Sequence, residues 1–184
     1  MGFHTFPVER ADALEDRSRY EHLSVDELLG LLAPDPEDVV ADLGSGTGFY
    51  TDDVAPHVGR VLAIDVQRAM HDRYRTKGVP ENVHPLTAVG DALPVRDGAL
   101  DAVFSTMTYH EFAGEAASAE LARVLAPDGR LAIADWSAAG TGADGPPVAE
   151  RYDAATAADH LEAAGFTVER ATDRRETFVL AASV

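Results

Sequence analysis

The segment Val39-Val40-Ala41-Asp42-Leu43-Gly44-Ser45-Gly46-Thr47-Gly48-Phe49-Tyr50 carries a short apolar run into a carboxylate, then alternating glycines, then residues that open a helix. A chain that leaves a buried strand and turns at once into a helix needs backbone conformations that a Cβ forbids, and bare backbone also lets a ligand lie against it. The segment reads as strand, tight turn and helix, with a nucleotide-type ligand above the turn. A Gly-x-Gly-x-Gly run by itself equally fits such a turn with no ligand. Phe49 stands where the dinucleotide fingerprint has its last glycine, which points away from NAD.

Later segments extend the pattern. Arg60-Val61-Leu62-Ala63-Ile64-Asp65 is a second buried strand ending in a carboxylate, where a ribose with two free hydroxyls would need acceptors. Gly90-Asp91-Ala92-Leu93-Pro94-Val95 comes next, then the apolar run Leu100 to Thr106. Around these, Ser24 caps a helix bearing Leu28, Leu29, Leu31 and Leu32, and Pro34 and Pro36 stop it. Helices are expected over Tyr50 to His57, Gln67 to Thr76, Glu115 to Leu125 and Asp153 to Ala164. Strands are expected over Asn82 to Ala88, Arg130 to Asp135 (after a turn at Ala126 to Gly129), Thr167 to Ala171 and Glu176 to Ala182. Alternating strands and helices make an α/β chain with a parallel sheet covered on both faces, and the short link between the last two strands makes one of them antiparallel.

The four segments, in this order, resemble the class I S-adenosylmethionine-dependent methyltransferases from about Asp38 to the C-terminus. Leu121 to Leu131, LARVLAPDGRL, is similar to the helix-turn-strand passage of small single-domain members related to the ubiquinone and menaquinone biosynthesis methyltransferases. Phe6 to Tyr20, Met107 to Phe112, and Asp135-Trp136 followed by Gly145-Pro146-Pro147 resemble a subgroup to which no acceptor attaches. The resemblance implies a Rossmann-like, seven-stranded, mostly parallel sheet with an antiparallel last strand, and S-adenosylmethionine as cofactor. It implies that Gly44, Gly46 and Gly48 admit the methionine and ribose portions, that Asp42 holds the amino end, and that Asp65 accepts both ribose hydroxyls. Val66 would pack on the adenine ring, Asp91 would take the adenine amino hydrogens and Ala92 would donate its backbone N–H; Asp91 alternatively caps a turn.

The implied reaction is in-line displacement at a sulfonium methyl, which needs a dry, aligned pocket and no metal. A hydroxyl or protonated nitrogen acceptor also needs a base, and His110, after the fourth strand at the carboxyl edge of the sheet, is the candidate. Its alternative is to pack against or cap the next helix. Tyr109 is a wall or hydrogen-bonding residue and Glu111 an orienter of the histidine, while Asp135 and Trp136 line the acceptor pocket unless Trp136 is core. Two other functions fit the same motifs: a protein that binds the cofactor without transferring a methyl group, and an NAD-linked oxidoreductase.

A chain of 184 residues reads as one domain, with residues 1–36 an N-terminal arm and helix, 37–184 the core, and the arm and the Gly- and Pro-rich Ser137 to Pro147 segment a mobile lid. Its 32 acids against 15 bases, net charge −17, argue against nucleic acid or an anionic membrane as partner; the methyltransferase resemblance is taken with a small-molecule acceptor, and the oligomeric state stays open. With no cysteine there is no disulfide or thiolate chemistry, and the seven scattered histidines give no metal-ligand spacing. No run reaches the about 18 apolar residues of a membrane span, and Glu9, Arg10 and Asp12 break any signal-peptide pattern, so a cytoplasmic protein is expected. A surface this acidic, with Lys77 as the only lysine, fits a salt-loving source and repels itself at low ionic strength. The melting temperature is therefore expected to rise as KCl is raised toward molar concentration, followed by scanning calorimetry; a flat or falling curve would remove this reading.

Overall fold

The computed structural model describes residues 5–184; the start of the arm, including His4, lies outside the described residues. Strands β1 (Val39–Leu43), β2 (Arg60–Asp65), β3 (Val83–Thr87), β4 (Leu100–Thr106), β5 (Leu125–Trp136), β6 (Thr167–Asp173) and β7 (Thr177–Ser183) form one sheet in the order β3-β2-β1-β4-β5-β7-β6. β1 to β5 are mutually parallel. β7 runs antiparallel to β5 and β6 and is inserted between them. This is the expected Rossmann-like sheet. Successive side chains sort to opposite faces: Val40, Ala102, Phe104 and Ala132 join one core, and Ala41, Leu43, Val103 and Leu131 the other. Strands buried on both faces are mostly apolar, which is why β1, β2 and β4 read as runs, with polar residues such as Asp42, Ser105 and Thr106 toward their carboxyl ends.

Helices α1 (Val25–Leu32), α2 (Phe49–Val54) and α3 (Arg68–Lys77) supply the first core, α5 (Glu115–Val124) and α6 (Ala154–Ala163) the second, and a one-turn helix, α4 (Tyr109–Phe112), comes after β4. The Ser24 hydroxyl accepts the Glu27 amide at 3.2 Å, as the capping pattern predicts, and α1 stops at Ala33 with φ 45° before Pro34. α2 is shorter than expected: Pro56 has no N–H to continue the ladder, and Ala55–His57 tightens into a 3-10 turn. The arm holds two further 3-10 helices, Val8–Glu15 and Arg17–Glu21. The turn expected at Ala126 to Gly129 is a bulge inside β5, because Leu125 pairs with Leu100 while Arg130 pairs with Ala102.

The segment 137–147 is held, where a mobile lid was expected. Arg151, with its side chain 1 % exposed, donates to the carbonyls of Ser137, Asp144 and Pro146. Glu176 accepts from Thr141 and from the Gly142 amide. One guanidinium fork thus answers several loop carbonyls that no strand pairs.

Strand order reverses between β1 and β4, and the crevice at their carboxyl ends is where open α/β sheets bind ligands. Among the described residues no helix is long and apolar enough to cross a membrane. The turn leaving β1 depends on Gly48, at φ 81°, where a Cβ would lie 2.1 Å from Cζ of the buried Tyr74. Gly48→Ala is expected to cost about 2–4 kcal/mol, from left-handed strain plus overpacking. Gly30→Ala, in open space on α1, should instead stabilise by about 0.5–1 kcal/mol. Urea unfolding of the two variants checks both signs.

Candidate functional site

The first cavity lies over the glycine turn, with Gly44, Ser45 and Gly46 as its floor and Asp65, Val66, Phe49, Arg19 and Phe112 around it. Asp65 is 8 % exposed; one oxygen accepts the Gly46 amide at 2.8 Å and the other the Gln67 amide at 2.7 Å. Each carboxylate oxygen keeps a second lone pair, so the residue still offers two acceptors. Burial raises its pKa, and the two amides oppose the shift. Val66 stands exposed on the rim, as a residue stacking on a planar ring would.

Other expected contacts are placed elsewhere. Asp42 lies beneath the turn, 1 % exposed and away from the cavity lining, with one oxygen accepting the Thr51 hydroxyl at 2.5 Å and the other without a partner. Burial pushes its pKa up to about 7, against the Thr51 hydrogen bond. Asp91 and Ala92 are exposed and outside the lining, and the Ala92 amide already donates to the Val89 carbonyl at 3.2 Å. The stretch just before them, Ala88 to Gly90, is what lines the cavity.

The arm roofs this cavity with Phe6, Leu14 and Arg19. Its backbone is tied where Gln67 donates to the Phe6 carbonyl at 2.9 Å, and ion pairs join Asp12 to Arg73 at 2.9 Å and Glu15 to Lys77 at 3.2 Å. The Arg19 guanidinium lies 5.1 Å from the Phe49 ring centre and 5.3 Å from that of Tyr50, donates to the Leu14 carbonyl, and has no carboxylate at ion-pair distance among the described residues. Arg19 was not anticipated: it is one of three arginines in a polar arm, with Arg10 and Arg17, and nothing in the sequence sets it apart from them.

A second cavity of about 450 Å³, within the range of small-molecule sites, opens beside the first and shares Phe6, Leu14, Arg19 and Glu111 with it. Trp136, Met107, Pro146, Pro147 and His110 are also in its wall. Asp135 is fully buried; it accepts His110 Nδ1 at 2.9 Å and the backbone amides of His110 and Trp136 at 2.6 and 2.7 Å. An ionised carboxylate only accepts, so Nδ1 carries the ring proton and Nε2 is left as the acceptor on the cavity side. Burial lowers the His110 pKa, but the hydrogen bond and charge of Asp135, aided by Glu111 and Glu150, outweigh it and hold it above the ordinary value. Asp135 is thus the orienter, the role expected of Glu111. Glu111 stands instead in the wall between the cavities, its pKa pushed by burial up to about 7.

Tyr109 is corrected outright. It turns away from both cavities into the core, 1 % exposed, edge-on to Phe112 and Phe178, with its hydroxyl 3.2 Å from His160 Nδ1. In a helical turn neighbours point about 100° apart, and here that step carries Tyr109 to the core side and His110 to the cavity side.

A protein-family profile described as a methyltransferase domain matches residues 41–133. A SAM-dependent methyltransferase from Aquifex aeolicus superposes with a TM-score of 0.88 and 31 % identity, over 98 % of this chain and 100 % of that one. An uncharacterized methyltransferase-like protein of Schizosaccharomyces pombe is 32 % identical over 130 residues, 70 % of this chain and 50 % of the relative. The demethylmenaquinone methyltransferase of Corynebacterium kroppenstedtii is 32 % identical over 109 residues, 58 % of this chain and 45 % of the relative. The chain spans about half the length of these two curated relatives.

The raised pKa of Asp42 fixes a sign for stability. A group whose pKa is higher folded than unfolded contributes fully below its unfolded value, near 4, and the contribution is lost as pH rises through about 7. Asp42→Asn removes this dependence, so its melting temperature relative to the unaltered protein should climb between about pH 4 and pH 7 and level off above. A constant difference across that range would show that Asp42 is charged throughout.

Proposed function

Since the chain belongs to the S-adenosylmethionine-dependent methyltransferase-domain family, we propose that it moves the cofactor's methyl group to a small-molecule acceptor in the second cavity, with His110 as base. The observation that carries this reading is that the two cavities are contiguous, with Glu111, Leu14, Phe6 and Arg19 lining both. The residues present fit the cofactor. Asp65 offers paired acceptors for the ribose hydroxyls, Gly46 presents bare backbone, Val66 meets the adenine face, and Arg19, without a carboxylate partner among the described residues, is the cation for the methionine carboxylate. When bound, the cofactor supplies an electrophilic methyl carbon on a sulfonium, whose departure leaves a neutral thioether.

The chain's own residues do the rest. The arm and the 137–147 segment exclude water and hold the acceptor's body against Trp136, and alignment of this kind supplies several kcal/mol of the barrier. Asp135 keeps the His110 ring turned so that Nε2 receives the acceptor's proton. His110 serves as base only when unprotonated, so turnover rises with pH through its raised pKa.

Titration calorimetry with S-adenosylmethionine, S-adenosylhomocysteine and NAD tests the cofactor assignment on the unaltered protein, Asp65→Ala and Arg19→Gln, with circular dichroism as the check on folding. The two adenosyl ligands should bind and NAD should not, with losses of about 100-fold in Asp65→Ala and about tenfold in Arg19→Gln. NAD binding in their place would sink the reading. Once an acceptor is known, His110→Ala should lower kcat by about 10²–10⁴, and Asp135→Asn should move the pH profile toward acid.

A further inference from the structure

The second cavity is electrically lopsided. Around His110 stand Asp135 from the end of β5, Glu111 from α4 and Glu150 from the 3-10 turn Val148–Glu150, each raising the proton affinity of the imidazole. Two arginines of the arm share the lining: Arg10, exposed at the rim with its guanidinium 5.7 Å from the Phe6 ring centre, and Arg19, which also lines the first cavity. The Arg151 guanidinium, 5.6 Å from the Trp136 ring centre, is paired with Glu176 at 3.9 Å and turned to the carbonyls of the 137–147 segment. Asp135 is consumed by its three N–H donors. Glu111 is not: its carboxylate has no hydrogen-bond or ion-pair partner among the described residues, although it is half-buried and faces both cavities. Glu150 is likewise unpaired among them.

That arrangement discriminates between acceptor atoms. An oxygen acceptor develops negative charge as it surrenders its proton, and carboxylates grouped about the base oppose each step of that. A nitrogen acceptor starts as an ammonium, is neutral at the moment of attack and ends as an alkylammonium, so its charged states are all cations that the same carboxylates favour. We infer that the acceptor is an amine methylated on nitrogen, its ammonium form recruited by Glu111 and Glu150 and its apolar body seated against Trp136, Phe6 and Met107. The inference rests on the methyl-transfer reading. His110 Nε2 takes one proton from the ammonium; the freed lone pair forms the N–C bond as the C–S bond breaks, and that bonding pair leaves with sulfur. The positive charge given up by the sulfonium is then carried by the methylated nitrogen, beside Glu111.

The test begins by saturating the protein with S-adenosylhomocysteine, monitored by calorimetry; failure to load strikes the methyl-transfer reading itself and is distinguishable from a failure of amine preference in the loaded protein. Benzylamine, benzyl alcohol and benzoate are then titrated against the loaded protein while the fluorescence of Trp136, the only tryptophan, is recorded. Benzylamine should bind about tenfold more tightly than benzyl alcohol, and the preference should fall to about twofold in Glu111→Gln/Glu150→Gln. Glu150→Gln alone, at an exposed position that does not threaten the fold, should reduce it by about threefold. Equal affinity for amine and alcohol, a preference for benzoate, no response to any of the three, or a preference untouched by the glutamine variants would overturn the amine assignment while leaving the cofactor site standing.

Discussion

The amides of Gly44 and Ser45 both donate to the Ile64 carbonyl, at 2.8 and 2.9 Å, and that of Gly46 donates to the Asp65 carboxylate at 2.8 Å, so the turn leaving β1 is stitched to the last two residues of β2. A buried N–H without a partner costs about 1–3 kcal/mol, and displacing this turn would free several together. The stitch fixes more than the cavity floor. It sets where α2 begins, and so where Phe49 and Tyr50 stand. The Tyr50 hydroxyl lies 3.0 Å from the carbonyls of Arg19 and Leu23, which hangs the end of the arm from α2. Roof and floor therefore share one support, and a change at the β1–β2 junction is felt on both sides of the ligand.

The roof illustrates how a strongly acidic chain uses its few cations. Lys77, the only lysine, pairs with Glu15 of the arm at 3.2 Å and with Asp52 of α2 at 2.8 Å. Arg73 holds Asp12. Exposed pairs of this kind are worth about 0–1 kcal/mol and weaken in salt, so they position the arm more than they fasten it. The fastening comes from burial of Ala11 and Leu23 and from the Tyr20 ring against Phe49, with centres 4.8 Å apart. Such an arm can rest on the core in brine or in dilute buffer, since apolar contact does not depend on screening.

How much of this was legible in the sequence depends on the reach of the interactions involved. β1, β2 and β4 could be read because a doubly covered strand is mostly apolar, and the place of Asp65 beside the glycine turn because it ends such a strand. The closing β6–β7 pair could be read from a link too short for a crossover. The arm's 3-10 helices carry no 3.6-residue period, and α4 is a single turn, too short for any period to show which of Tyr109 and His110 faces the core. Asp91 resembled a ligand residue by position in a motif, whereas its exposure is decided by the local turn between Val89 and Ala92. The 137–147 segment looked free by composition. Its restraint lies in Arg151 and Glu176, outside the segment altogether.

Asp135 shows why structure and chemistry are hard to separate at this site. The same Oδ2 accepts both the backbone amide and the ring Nδ1 of His110, at 2.6 and 2.9 Å. The first bond satisfies an orphan donor at the start of α4; the second selects the tautomer that leaves Nε2 open to the cavity. A rotation of the imidazole that broke the second bond would leave a fully buried carboxylate leaning on its remaining amides. That penalty confines the ring to one orientation. The imidazole is thereby held by the same carboxylate that accepts from the first turn of α4, and the pairing of β4 with β5 brings the two together. Parallel pairing of Thr106 with Ala134, one residue before Asp135 and four before His110, brings the two to neighbouring places at the carboxyl edge of the sheet.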